Sequence, residues 1–367
     1  MIIPRGRYWG VLLAGGQGER LWPWSRRDLP KQFLPITGGR SLLQLAYARL
    51  AQVMPAGQIY VIGNAANARV VRAQLPALSS KRWVGEPVGR NTAAAIGTGA
   101  LLIGREDPGA VMVVATADHV IAPAQRWAEC VRAAGQIALE DVDRLVCFGV
   151  PPTAPATGYG YLIPTREHRR MASGRVMAAP LARFVEKPSA RVAKRLIRRG
   201  ALWNSGMFVW SIPAIARALQ HHLPEITRGL VLTVKAPVGT RAFGEQLSSV
   251  YHRIPSISID YGVMEQAIDC WMVRGTFAWD DVGSWTSAAR YLEHDRDGNA
   301  VRGRHLGLDT RRTVIVGEPD RLIATLGVRD LVIVQHRGVT LVASRAKAQR
   351  VRELVAQAQA AGAGQFR

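Results

Sequence analysis

From Tyr8 to Val150 short unbroken apolar runs alternate with stretches of helical period. The runs Tyr8–Ala14, Ile59–Ile62, Ala110–Ala115 and Leu145–Val150 have strand length and are rich in Val, Ile and Leu, which suits strands buried on both faces. Ser41 to about Val53, the segment after Asn64, Thr92–Arg105 and Gln125–Leu139 carry apolar residues at helical spacing. This alternation predicts an α/β domain with a largely parallel sheet. In such sheets ligands collect beyond the carboxyl ends of the strands, so chemistry is expected in the loops after Ala14, Val84, Ala115 and Val150.

From about Ala300 the pattern changes to short β pieces, Thr313–Val316, Leu322–Ala324, Leu331–Gln335 and Thr340–Val342, separated by turn residues. A small β appendage follows from that. Arg345 to Ala361 reads as a helix with Val351, Leu354, Val355 and Ala358 on one face, suited to packing on a neighbour. The expected division is a domain over 1–295 and an appendage with a terminal helix over 296–367.

The 367 residues suffice for one large core with an appendage, and 48% hydrophobic with 20% charged residues excludes a disordered or collagen-like chain. Cys130, Cys147 and Cys270 show neither a CxxC nor a Cys/His pairing, so a disulfide framework and a zinc module are not expected; a reducing cytoplasm is. The apolar run behind Arg5 and Arg7 is too short to span a membrane, and the Gly-rich stretch after it favours a buried first strand over a leader. No other stretch reaches membrane length. Charge is the one unusual quantity: 48 Lys and Arg against 27 Asp and Glu give a net +21. That sign suits phosphorylated small molecules, nucleic acid or acidic lipid, or reflects basic residues dispersed over solvated faces.

The densest chemistry lies in LLAGGQGERLWPWSRRDLPKQF, Leu12 to Phe33. A strand runs through Ala14 into Gly15, Gly16 and Gly18, where missing side chains let backbone N–H groups wrap an anion, and Arg20, Arg26 and Lys31 add positive charge. It lacks the Gly-Lys-Ser/Thr ending of a P-loop, and Leu21 stands where a dinucleotide fingerprint needs its third glycine. Asp118, at a strand end, and Asp281, among small residues, are candidates to hold a hard cation through oxygen; each alone also reads as a cap or turn carboxylate. Glu186 and Lys187 end a strand-like run, so their side chains are expected to diverge, which permits a carboxylate for sugar hydroxyls and an ammonium for phosphate; the dipeptide alone reads rather as an exposed salt-bridge pair. Arg90 and Asn91 precede a helix starting near Thr92, where a helix N-terminus and a cation meet a nucleotide. Glu86 can accept from two donors, such as the pair that guanine offers at N1–H and its 2-amino group, though Glu86 also reads as a loop carboxylate and Thr92 as a helix cap.

GGQGERLWPWSRRDLPKQF resembles the signature of sugar-1-phosphate nucleotidylyltransferases, in particular the mannose-1-phosphate guanylyltransferases. The likeness continues through EPVGRNTAAAI (Glu86–Ile96), ADHVI (Ala117–Ile121), FGVPPTAPATGYGYL (Phe148–Leu162), RFVEKP (Arg183–Pro188), LWNSGMFVW (Leu202–Trp210), SIDYGVMEQA (Ser258–Ala267) and WDDVGSW (Trp279–Trp285). The resemblance implies a Rossmann-like nucleotidyltransferase domain with a mostly parallel mixed sheet, and transfer of GMP from GTP to α-D-mannose 1-phosphate, giving GDP-mannose and pyrophosphate. It implies Mg²⁺ on Asp118 and Asp281, and catalytic roles for Arg20, Lys31 and Lys187. Ala14, Gly15, Gly16, Gly18, Arg20, Lys31, Glu86, Arg90, Asn91 and Thr92 fall on the nucleotide side. Gly158, Tyr159, Glu186, Lys187, Asn204 and Asp260 fall on the sugar-phosphate side.

Ala94 replaces a proline usual in the family, Glu19 puts a negative charge in the cradle, and Ala156 stands where glutamate is common before TGYGY, which leaves sugar choice the least fixed feature. Heptose or glucose 1-phosphate is the nearest alternative acceptor, and a non-catalytic basic nucleotide- or nucleic-acid-binding protein the alternative of another class. The intact lysines and aspartates favour an enzyme with no nucleic-acid or membrane partner, a homodimer being possible. A fused isomerase activity, known in the family, is not expected, since the chain stops soon after the β appendage.

Overall fold

The computed structural model describes residues 3–171 and 174–363. Strands β1 (Tyr8–Leu13), β2 (Ile59–Asn64), β3 (Trp83–Glu86), β4 (Val111–Thr116), β5 (Val120–Ala122), β6 (Leu145–Val150), β7 (Tyr161–Pro164), β8 (Arg169–Arg170), β9 (Met177–Val185), β10 (Leu202–Ser211), β11 (Cys270–Arg274) and β12 (Ala278–Asp280) come first along the chain. Between them run helices α1 (Leu42–Leu50), α2 (Ala68–Gln74), α3 (Asn91–Glu106), α4 (Ala124–Ala138), α5 (Ala190–Arg198), α6 (Ile212–His222), α7 (Pro224–Thr233) and α8 (Arg241–Tyr251). The chain falls into two compact units, Met1–Gly15 with Ala46–Ala117 and Ile121–Trp279, and Gly16–Leu45 with Asp118–Val120 and Asp280–Arg367.

The first unit is built on one sheet in the order β3-β2-β1-β4-β10-β6-β11-β9-β7. The strands that alternate with helices at the N-terminus pair in parallel, Val11 facing Tyr60 on one side and Val114 on the other. β10 then enters antiparallel between β4 and β6, with Phe208 opposite Val114 and Cys147, and makes the sheet mixed. Its all-apolar strands have helices on both faces, the arrangement such runs require. α3 lies so close to β1 that a Cβ on Gly99 would sit 2.6 Å from the Val11 side chain. Ala94 is fully buried on the same helix, in a core that includes Ile96, Ile103, Val114 and Trp210.

The second unit coils. β13 (Glu293–His294), β14 (Ala300–Arg302), β15 (Arg304–Leu308), β16 (Val314–Val316), β17 (Leu322–Leu326), β18 (Leu331–His336) and β19 (Val339–Ser344) are followed by α10 (Val351–Ala360), with the short α9 (Trp285–Ala288) before them. β14, β16 and β18 stack in parallel, Ala300 on Val314 on Val332, and β15 stacks on β17, which gives two faces of a β-helix. Inward Val314, Val316, Val332 and Val334 pack with Leu21, Trp24, Leu34 and Trp285. On α10, Val351 and Val355 are buried as expected, whereas Leu354 is 44% exposed. The last residues of the expected appendage, 364–367, lie outside the described residues.

Candidate active site

Glu86 ends β3 and is buried, 7% exposed. Its Oε2 lies beside Gly15, 3.3 Å from where a Cβ would stand, and its Oε1 has no hydrogen-bond partner among the described residues. Burial pushes the carboxyl up to about 7, against a smaller downward pull from the Tyr251 hydroxyl. Tyr251 in turn shares a 3.0 Å hydrogen bond with Thr98. Ala14 is tied into the sheet by its N–H to Ile62 O, 2.7 Å. Arg90 caps the start of α3, but its Nε donates to Tyr251 O and its Nη2 to His252 O, so most of the guanidinium is spent on the main chain. Asn91 has φ 62° and accepts from Thr92 N–H, and Thr92 Oγ1 accepts from Ile259 N–H at 2.9 Å.

In the second unit Gly18 has φ +66°, and a Cβ there would fall 2.3 Å from Lys31 Cβ, so only glycine fits this turn. Lys31 is buried. Its Nζ lies 2.6 Å from Asp118 Oδ2 and donates to Asp281 O at 2.5 Å. Burial works to raise the Asp118 carboxyl, but the charges of Lys31 and His119 beside it hold it down at about 2. Asp281 Oδ1 accepts from Gly283 N–H, 3.1 Å, in a turn where Val282 has φ 44°. Arg20 is exposed and donates to Gln349 at 3.1 Å.

Arg26 is a correction to the sequence reading. Rather than adding charge to the anion loop, its buried guanidinium donates to Pro23 O, His336 O and Arg337 O, fixing the loop to the β-helix.

Among the described residues no three His, Cys, Asp or Glu side chains form a metal cluster of their own. Asp118 and Asp281 offer two hard carboxylates, and Lys31 links the two residues through the Asp118 carboxylate and the main-chain carbonyl of Asp281. That donor set fits Mg²⁺, which commonly takes one or two carboxylates and completes its shell with water and substrate phosphates.

The sugar-side candidates gather in the first unit. Asn204 Nδ2 donates to Asp260 Oδ1 at 2.8 Å, and Glu186 N–H donates to Glu265 Oε1 at 2.6 Å. Burial, with the Asp260 carboxyl second, pushes Glu186 up to about 7. Burial raises Asp260 as well. Glu186 Oε2 has no hydrogen-bond partner among the described residues. The Glu186 and Lys187 side chains do not diverge: Nζ is 3.4 Å from Glu186 Oε1. Lys187 lies beyond the end of β9 at φ 44°, where the alternation of a pleated strand no longer applies. Tyr159 packs edge-on against Trp203 and Trp279, with centroids 4.9 and 5.4 Å apart. Gly158 precedes it in the exposed turn. Trp203, Trp279, Glu265 and Tyr251 were not nominated for the site from the sequence; the first three lie inside quoted motifs, which was a signal, and Tyr251 lies outside all of them.

The nucleotidyl transferase model matches residues 9–298, and the chain belongs to that family. Residues 303–358 match the MannoseP isomerase/GMP-like β-helix domain. The xanthan biosynthesis protein XanB of Xanthomonas campestris pv. campestris (strain B100) is 36% identical over 355 residues, covering 96% of this chain and 73% of its own. The mannose-1-phosphate guanylyltransferase of Escherichia coli (strain K12) is 34% identical over 370 residues, covering 100% of this chain and 76% of that one. A solved structure from Thermus thermophilus, described as a mannose-1-phosphate geranyltransferase, superposes with a TM-score of 0.84 at 33% identity, over 96% of this chain and 99% of that one. The α/β nucleotidyltransferase fold with a C-terminal β domain is thus the one the motifs implied. The family generally uses a divalent metal. No helix among the described residues is long and apolar enough to cross a membrane.

Proposed function

We propose that the chain transfers GMP from GTP to α-D-mannose 1-phosphate, giving GDP-mannose and pyrophosphate, as a Mg²⁺-dependent cytoplasmic enzyme. An oxygen of the sugar phosphate attacks the α-phosphorus in line, and the bond to the departing pyrophosphate oxygen breaks as the new P–O bond forms. Positioning and charge do the work, without a covalent enzyme intermediate. One observation carries the reading. Glu86 and Glu186, the carboxylates assigned to base and sugar, each keep one buried oxygen without a partner among the described residues, and an unpaired buried acceptor is costly unless a ligand donor reaches it.

Gly15, Gly16 and Gly18 would present main-chain N–H groups to the triphosphate, with Arg20 and Lys31 steadying its charge. Asp118 and Asp281 would hold Mg²⁺, which when bound neutralises phosphate charge. Lys187 would hold the attacking phosphate, and Glu186, Asn204 and Asp260 would orient the hydroxyls of the sugar. The identity of neighbours with mannose-1-phosphate guanylyltransferases over nearly the whole chain supports the acceptor. Three free, buried cysteines suit a reducing compartment.

The test is a coupled pyrophosphate-release assay across four nucleotides and several sugar 1-phosphates. GTP with mannose 1-phosphate should give the highest kcat/KM. A better heptose or glucose 1-phosphate would overturn the acceptor, and no release with any pair would overturn the enzyme.

A further inference from the structure

A concave pocket of about 530 Å³ opens in the first unit, and none of its lining residues belongs to the base, phosphate or sugar groups above. Its floor is apolar, with Leu202 and Met272 from β10 and β11. Arg166, His168, Arg199 and Arg274 also line it, and no carboxylate does.

The three guanidinium groups make no hydrogen bond or ion pair among the described residues. Elsewhere in the same unit arginines are matched to acids: Arg169 to Glu140 at 2.6 Å and Arg144 to Asp269 at 3.1 Å. Three unmatched cations around one hollow repel one another, and an anion from outside relieves that repulsion; planar guanidinium groups suit phosphate oxygens in particular. α5 raises the local potential with Arg195 and Arg198 in its last turn, just before Arg199.

Shape decides the class of ligand. A duplex or a lipid surface is met by a ridge or a flat face, whereas this site is a hollow with an apolar floor. We propose that it is a second anion site, which takes a soluble ligand joining phosphate groups to a flat ring, a nucleoside diphosphate in class. The phosphates lie on Arg166, Arg199 and Arg274, and the ring lies on Leu202 and Met272. The site is distinct from the sugar side, because none of Gly158, Tyr159, Glu186, Lys187, Asn204 and Asp260 lines it.

The experiment titrates GDP alone into the full chain by calorimetry and compares wild type with the triple variant Arg166→Ser, Arg199→Ser, Arg274→Ser. The variant should bind one GDP fewer per chain and keep its turnover. A triple Arg→Lys variant, which keeps the charge, should recover part of the lost binding and guards against misfolding. An unchanged GDP count in the Ser variant overturns the site. So does loss of binding to a short DNA duplex or to phosphatidylcholine–phosphatidylserine vesicles with the GDP count intact, since the cations would then serve a surface. No sugar phosphate and no turnover enter the count, so it stands apart from the proposed reaction.

Discussion

The Lys31 ammonium lies 2.6 Å from the Asp118 carboxylate and also takes the main-chain carbonyl of Asp281. One buried cation thus touches both residues proposed to hold the metal, at the carboxylate of Asp118 and the main chain of Asp281. Asp118→Ala or Asp281→Ala should lower turnover by more than the roughly 10–100-fold that losing an outer partner costs at metal sites. Circular dichroism should remain native. A Mg²⁺ titration of Asp281→Ala with unchanged turnover would place the metal elsewhere.

Base choice should follow Glu86. Its carboxyl titrates at about 7 because it is buried, and only the ionised form accepts from both guanine donors. In wild type, kcat/KM for GTP should therefore climb as pH rises through 7 and then level off. Glu86→Gln should flatten that rise and narrow the preference of GTP over ATP, each charge-assisted bond being worth roughly 1.5–3 kcal/mol. ITP, which lacks the 2-amino group, should fall between the two. Equal use of GTP and ITP by wild type, with an unchanged GTP/ATP ratio in the variant, would move base recognition to other residues.

The same carboxyl makes stability depend on pH in a definite direction. Its folded value of about 7 exceeds the ordinary 4.5, so the folded chain holds the proton more tightly than the unfolded one. Its stabilising contribution is present in full below 4.5 and is lost as pH rises toward 7. Glu86→Gln lacks this loss. Relative to wild type the variant should melt higher at alkaline pH than at acid pH without ligand, and parallel melting curves at both would show that Glu86 is not buried as described.

Lys187→Ala should raise KM for mannose 1-phosphate and leave KM for GTP near wild type, because Nζ stands with Glu186 on the sugar side. An effect confined to GTP would reassign it to the other phosphate.

Arg26→Met should cost stability first. It removes the donor to the carbonyls of Pro23, His336 and Arg337; the bond to Pro23 is buried, and a buried group left unsatisfied costs about 1–3 kcal/mol, while the two part-buried carbonyls cost less. Denaturant unfolding measures it, and a midpoint equal to wild type would show that the loop is held by other contacts.

Much of this molecule could be read along the chain, and the limits of that reading are physical. Strands β1, β2, β4 and β6 were legible because each is a short apolar run between helical patterns, whereas β3, with Gly85 and Glu86 in its four residues, showed only as an expected loop after Val84. The place of β10 was not, since nothing in its own sequence records that it inserts antiparallel between β4 and β6. Glu86 was nominated by its motif, but its burial depends on β3 pairing with β2 and on α8 carrying Tyr251. Arg26 misled because two of its three acceptors, His336 O and Arg337 O, lie more than 300 residues away. Lys187 misled because left-handed backbone cannot be read from a Glu-Lys-Pro run that also suits a strand end.

The aromatic trio of Tyr159, Trp203 and Trp279 makes the proposed sugar side its own optical reporter. The two indole centroids are 6.4 Å apart, and the phenol ring touches both, so a ligand that seats against any one of these rings alters the surroundings of coupled chromophores. Of the ten tryptophans in the chain, these two pack edge-on with Tyr159. A difference emission spectrum, with Trp279→Phe as the blank, therefore reads occupancy of this side alone on unlabelled protein.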